Sequence, residues 1–374
     1  MMRALALALP LVLAGIVGCA PPPAVFVPPT PTPTREPGTL AVTALLDLSG
    51  TRAPKGDAQR TAMQQWADAQ RATPRVKLRI VDVAGSQTRL VLELKHAAEL
   101  GEADAFVIGV PIVVDEALRA AIVLSKRPVL FTLPISEPSG DAAPWMFGLA
   151  PTPEAIARIA VDALATRSTP AVVVSSGTLT AGAEEQVLAG VFEAESRPAP
   201  FVLSATAAER DAFTQRYRQL FNAGAAIFFA GAAGDHLGQR RLVPNDAAGT
   251  PALFLSYLTD PSDASRLDTA APITRWPGSR RAAGTALGTH AACAADALAI
   301  LAGSLDLTGD AERSRAGIES GTFAGIATTY RFTATRHVGA DPGDLALLAW
   351  ENGKVVIARP LPTPAPSRSP APTR

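Results

Sequence analysis

From Thr39 onward the chain alternates short β-branched or apolar runs with amphipathic stretches of about 12 to 17 residues, the rhythm of parallel sheets covered by helices. Period-two and fully apolar runs predict strands at Leu40–Asp47, Val76–Val81, Ala105–Ile108 and Val129–Thr132. Helical spacing predicts Asp57–Arg71, Gln87–Leu100 and Asp115–Ser125 between and after them. The rhythm then restarts. Helix Thr152–Thr166, strand Ala171–Ser175, helix Ala181–Glu195, strand Pro200–Ser204, helix Ala208–Asn222 and strands Ala226–Ala230 and Ala252–Leu255 form a second unit of the same kind. Two further helices, Leu287–Ser304 and Ala311–Glu319, precede runs at Thr329–Phe332, Leu345–Ala349 and Val355–Ala358. The last pair is joined at Glu351-Asn352-Gly353-Lys354, a hairpin signal that makes the end of the chain antiparallel.

The expected fold class is therefore α/β, with two doubly wound lobes. Such sheets receive ligands outside the carboxyl ends of their strands. That rule selects the loops Leu48–Gly56, Gly109–Val113, Thr132–Ser136, Ser175–Thr180, Gly231–Asp235 and Ser256–Asp260. Asp47 and Asp82 both close predicted strands, and a turn or capping role is the expectation for each over an acid/base pair.

The first 38 residues change the picture from a free enzyme-like body to an exported one. Arg3 is followed by an uncharged run, 4–17, of mostly Ala, Leu and Val, which has the form of a signal-peptide core and falls short of the ~20 residues that span a bilayer. Next comes Ile16-Val17-Gly18-Cys19, which resembles the lipobox of bacterial lipoproteins. The resemblance implies cleavage before Cys19 and acylation of its thiol. Segment 19–38 holds eight prolines and segment 360–374 six, so both are expected as extended, unfolded stretches: a stalk and a tail. At ~3.1 Å per residue the stalk reaches about 60 Å. Ala20 follows the cysteine, and which membrane carries the anchor stays open. The expected location is extracytoplasmic, tethered by lipid in the periplasm or at the cell surface.

Composition adds mainly exclusions. Lys plus Arg and Asp plus Glu are both 34, so the formal net charge is zero, and no basic patch predicts nucleic acid as a partner. Cys293, the second of two cysteines, lies in the apolar stretch Ala291–Leu301 and reads as a small buried thiol. His96, His236, His290 and His337 are scattered, without metal-ligand spacing, and no metal or cofactor is expected. Dinucleotide, phosphate-loop and nucleophile-elbow motifs are missing, and Gly231, Gly234 and Gly238 have the wrong spacing for the first. No enzymatic activity is expected.

The order of landmarks along the body resembles the type I periplasmic binding proteins, the branch typified by leucine/isoleucine/valine-binding proteins of ABC importers. They are Leu48-Ser49-Gly50 with Lys55-Gly56-Asp57, Ile108-Gly109, Arg127-Pro128, Trp145 to Thr152, Phe228-Phe229-Ala230-Gly231, Ala294-Ala295-Asp296-Ala297, and Phe323-Ala324-Gly325 with Tyr330-Arg331-Phe332. The resemblance implies two lobes joined by three crossovers, with an interlobe cleft that closes on a small molecule by hinge motion. The implied division is 1–18 signal peptide, 19–38 linker, 39–147 and 278–327 lobe one, 148–277 and 328–359 lobe two, and 360–374 tail. An ABC permease is the implied protein partner of a monomeric chain.

On the family's binding positions the sequence departs from an amino-acid clamp. Val113 stands where a ligand-binding Ser is expected, Pro134 and Ser136 where Ala and Thr are, and Lys55 replaces a ring-bearing residue. Ala232 or Ala233 replaces a Tyr, and Tyr257 lies near the carboxylate's place. An α-amino acid is thus not the expected ligand, since a buried charge without its partner costs several kcal/mol. The residues expected to line the site are Ser49, Lys55, Val113, Thr132, Pro134, Ser136, Ala233 and Tyr257, with Lys55 suggesting an anionic group on the ligand. An envelope scaffold that keeps the fold with a degenerate site is the alternative.

Overall fold

The computed structural model describes residues 38–50, 53–70, 75–165, 171–175, 201–204, 226–229, 252–257, 289–351 and 354–359, with single helical positions at 187, 190, 191, 193, 194 and 219. The signal segment, Cys19, the stalk, the tail, Ala233, the loop 231–235 and the turn at 352–353 lie outside them.

Five parallel strands make the first sheet: β1 (Thr39–Leu46), β2 (Arg75–Asp82), β3 (Ala105–Ile108), β4 (Val129–Phe131) and β5 (Met146–Gly148), in the order β2-β1-β3-β4-β5. The order reverses between β1 and β3, so the crevice at their carboxyl ends is a topological switch point. Alternate residues of β1 serve opposite faces. Leu40, Val42, Ala44 and Leu46 join one core with Ala62 and Met63 of α1 (Ala53–Ala69) and Ala294, Leu298 and Leu301 of α5 (Thr289–Ser304). Leu45 joins the other core, with Leu90 and Leu94 of α2 (Gln87–Glu99) and Leu118 and Ile122 of α3 (Glu116–Ser125).

The helix ends follow from local chemistry. Ser86 caps α2 by accepting from the Arg89 N–H, and Asp115 caps α3 by accepting from the Leu118 N–H. The hydroxyl of Thr152 accepts from the Ala155 N–H at the start of α4 (Pro153–Ala165). Helix α1 starts at Ala53, with Pro54 in its first turn, where a missing N–H costs nothing. Asp57, the expected start, is instead inside the helix and pairs with Arg60 at 3.0 Å.

The second sheet has the order β13-β12-β9-β8-β6-β7, built from β6 (Ala171–Ser175), β7 (Phe201–Ser204), β8 (Ala226–Phe229), β9 (Ala252–Tyr257), β12 (Leu345–Glu351) and β13 (Lys354–Arg359). Its first four strands in sequence run parallel, and β12 and β13 are antiparallel additions, as the pattern predicts.

Two expectations are corrected. Residues 146–148, where the repeating pattern predicts no strand, are an edge strand pairing in parallel with β4. Residues 329–331 (β11) do not join the antiparallel end of the second sheet; they pair with β10 (Thr322–Ala324) in a separate ribbon. Tyr330, Phe332 and Ala340 are buried in the core shared with β1, α1 and α5, so the stretch 328–340, assigned to the second lobe from sequence, packs on the first sheet. Its aromatic rings decide this: Phe332 meets Phe147 of β5 edge-on at 5.6 Å and stacks with Tyr330 at 6.4 Å.

Candidate functional site

The carboxyl ends of β1, β3 and β4 converge on a buried polar network. Gln59, on the buried face of α1, donates through Nε2 to the carbonyl of Gly109 at 2.8 Å. Its Oε1 accepts from the hydroxyl of Thr132 at 2.7 Å, and the carbonyl of Thr132 lies 3.2 Å from Nδ1 of His290 on α5. All three side chains are buried. The amide thus ties the loops after β3 and β4 to α1 and α5. Gly109 is required for this contact, because a Cβ there would lie 2.3 Å from Gln59 Oε1.

Thr132, expected to face a ligand, is fully buried with its hydroxyl spent on Gln59. An unpaired buried amide oxygen would be costly, and Thr132 removes that cost. Ser136 is exposed, and its hydroxyl donates to Glu154 in the first turn of α4 at 2.8 Å. Val113 is 40% exposed, with its backbone N–H and C=O both held by the side chain of Gln87. Pro134 is half-buried. Lys55 is half-buried in the first turn of α1 rather than in the preceding loop. Tyr257 is the last residue of β9, opposite Leu345 in register. Ser49, Lys55, Val113, Pro134 and Ser136 therefore lie at or just past the carboxyl end of the first sheet, and Tyr257 at the end of a strand of the second.

The two aspartates are turn ligands. Asp82 accepts from the N–H groups of Leu48 and Ala84, each at 2.8 Å, and Asp47 accepts from the N–H of Gly85. Burial pulls the Asp82 carboxyl upward, but the donors Leu48, Ser49 and Ala84 and the nearby Arg89 charge leave it below the usual carboxylate range. Ser49 thus serves Asp82. The pair stitches the loop after β1 to the loop after β2.

A second buried constellation explains the sequence landmarks near the C-terminus. Asp296 on α5 accepts from the N–H of Ile326 and Ala327 and from the Tyr330 hydroxyl at 2.9 Å. Burial raises its pKa to about 6, against the lowering effect of those three donors. Gly325 makes room for it, since a Cβ there would come within 2.5 Å of the carboxylate. Cys293 is buried, its thiol 3.7 Å from the Leu149 carbonyl and 3.6 Å from the Tyr330 hydroxyl, in keeping with the small structural thiol expected.

Sequence reasoning missed Gln59, His290, Gln87 and Glu154. Gln59 carried a usable signal: it shares a stripe with Ala62, Met63 and Trp66, so a polar side chain on an apolar face needed a buried partner. No group of His, Cys, Asp and Glu able to hold a metal occurs among the described residues.

No protein-family model matches the chain, and no curated protein does. Solved structures do. A branched-chain amino acid transporter substrate-binding protein, LivJ, from Streptococcus pneumoniae, in complex with isoleucine, aligns at TM-score 0.64 and 13% identity, over 85% of this chain and 97% of that one. A solute-binding protein of an ABC transporter from Rhodopseudomonas palustris, in complex with benzoate, aligns at TM-score 0.64 and 16% identity, over 86% and 96%. A periplasmic binding protein type 1 from Bordetella pertussis aligns at 0.61 and 16%, over 86% and 99%. The fold is that of the type I periplasmic binding proteins. Within this fold, the Gly56, Gly109 and Gly325 landmarks read from the sequence are packing devices: each lets one element approach another closely.

Proposed function

We infer that the chain is a lipid-anchored, extracytoplasmic solute-binding protein that takes up a small molecule between two lobes by hinge closure, for an ABC importer or a sensor. The observation that carries this reading is the type I periplasmic-binding-protein fold, and the uncharged run 4–17 followed by Ile16-Val17-Gly18-Cys19, which has the form of a signal segment with a lipobox, supports the anchoring. The chain binds and does not catalyse. Its division into lobes, 39–147 with 278–327 and 148–277 with 328–359, is proposed with the second return moved to begin near 341, because 328–340 packs on the first sheet.

The ligand is a small anion without an α-ammonium group. Val113 and Pro134 offer no hydroxyl, and Lys55 stands beside the switch point as a cation. Ser49, Lys55, Val113, Pro134, Ser136, Ala233 and Tyr257 remain the proposed lining, with Thr132 withdrawn. The benzoate-bound relative has the same fold and holds a carboxylate that lacks an amine.

A second reading, a scaffold that keeps the fold without a ligand, is favoured by one observation: the hydroxyls of Thr132 and Ser136 are both bonded to protein groups, Gln59 and Glu154. A thermal-shift screen of the mature chain against aromatic and aliphatic carboxylates, amides and sugars separates the two. Ligand at about 100 times its Kd stabilises by roughly 2.7 kcal/mol, a rise of several degrees. The binding reading expects that rise for a carboxylate and its loss in Lys55→Ala. A flat response to every compound supports the scaffold.

A further inference from the structure

Exposed large apolar side chains are concentrated in one region of the molecule. Among the described residues they are Leu92, Leu100, Val113, Leu124 and Leu307. The first four lie on α2, on α3 or close to an end of one of them. Leu307 sits in the loop 305–309, whose Gly309 carbonyl accepts from Arg127 just after α3. Leu124 and Leu92 are the most open, at 64% and 60%.

Helix α3 is the element that lacks a cover. Its inward side, Leu118, Ala121 and Ile122, packs into the core beneath it. Its outward side carries Ala117, Ala120 and Leu124, all exposed, and their spacing of three and then four residues sets them in one row. A surface helix ordinarily turns polar and charged groups outward, and one that is apolar all round is buried. In α3 only Glu116 and Arg119 are charged, and Arg119 falls on the flank of the row.

The charges at the two ends of that row indicate what covers it. Glu116 opens it, and Lys126, the left-handed C-cap of the helix, follows its end. Both are exposed, and neither side chain has a hydrogen bond or an ion pair among the described residues. A second copy of α3, laid antiparallel across a two-fold axis at Ala120, brings Glu116 of each chain toward Lys126 of the other. The same operation sets Leu124 against Ala117 of the other copy, large on small. Ala120 then meets itself, where its small side chain lets the two helices approach.

We propose that the outward face of α3 is a self-association surface, through which two copies of this chain pair with their α3 helices antiparallel. Helix α2 packs beside α3, and its Leu92 flanks the contact. The resemblance to binding proteins implies a monomer, and this surface is independent of the ligand. At 1.5 Å per residue α3 is about 15 Å long, so the contact is smaller than the ~800 Å² per partner of a standard interface. The dimer is therefore weak, forming at micromolar concentrations and above.

Sedimentation equilibrium from about 1 µM to about 1 mM tests it, on the mature chain made without its lipid and kept reduced so that Cys19 cannot cross-link. The average mass should climb from one chain toward two. Leu124→Glu changes an exposed position and should leave the melting temperature unchanged. It should weaken association by more than about a hundredfold, since two leucines lose their burial at once. Glu116→Lys and Lys126→Glu should each weaken it about tenfold, because the axis makes every like-charge encounter occur twice. The double variant should recover the original affinity. A single-chain mass at every concentration overturns the proposal and leaves the face to a different protein, and a dimer that Leu124→Glu leaves unchanged overturns it as well. Loss of association in both single charge variants without recovery in the double variant would refute the antiparallel pairing.

Discussion

A carboxylate enclosed between α5 and the loop after β10, Asp296 is held by two backbone N–H groups and a tyrosine hydroxyl, yet burial leaves its pKa at about 6 against 3.8 for the free side chain. The native state therefore keeps a proton that the unfolded chain has already released between these values. Its contribution to stability is fully present below about pH 3.8 and is lost as pH rises through about 6. Over that window the change amounts to about 3 kcal/mol. Asp296→Asn removes the titration, so the urea-derived stability of the unsubstituted protein minus that of the variant should grow as pH falls from about 7 to about 4. A flat or reversed difference would show that the three donors outweigh burial. At this scale the sequence told the identity of the special positions better than their roles. Asp296 and Gly325 stood out as family landmarks, and the structure makes them partners in one packed contact. Thr132 was read as a ligand hydroxyl because it ends a strand beside the switch point. Nothing in the linear spacing revealed that Gln59, 73 residues earlier, would reach it.

The junction of α1 with β1 shows how an element boundary depends on one close approach. A Cβ on Gly56 would fall 1.8 Å from the carbonyl oxygen of Asp47, a backbone atom that no rotamer change can move. Gly50, in the same loop, has φ +71° but open space around its Cβ position. Gly50→Ala should therefore cost only the backbone strain, about 1 kcal/mol, whereas Gly56→Ala should cost about 3 kcal/mol by forcing α1 off the strand. Urea titrations of the two variants give the ranking, and equal losses would mean that helix α1 can slide. The elements themselves were largely legible. Apolar runs located the strands of the first sheet, and the second-sheet order matched the expected parallel core with an antiparallel end. Errors fell where local signals were short. α1 begins at Ala53 with Pro54 in its first turn, earlier than the apolar spacing suggests, and β5 and β10 are three-residue strands whose existence depends on tertiary pairing.

For the whole molecule, the fold was legible because the order of landmarks extends over some 300 residues, and a two-sheet topology is overdetermined at that length. The ligand was not, because a few side chains from loops distant in sequence decide it, and two of the expected hydroxyls turn inward or sideways onto Gln59 and Glu154. The tether is a claim at this scale that the sequence alone carries. Acyl chains on Cys19 would contribute roughly 0.8 kcal/mol for each buried methylene, and two or more chains hold a protein at a bilayer where one does not. Expressed in a bacterial host with labelled palmitate, the chain should incorporate label and partition into detergent, and Cys19→Ser should lose the label and move to the aqueous phase. The melting temperature of the released body should not change, since Cys19 precedes the proline-rich segment that leads into β1. Label that persists in Cys19→Ser would place the acylation elsewhere. An unlabelled chain that is nonetheless exported would leave an ordinary signal peptide and a free receptor. The proline-rich stalk, about 60 Å at full extension, would then have no surface to stand on.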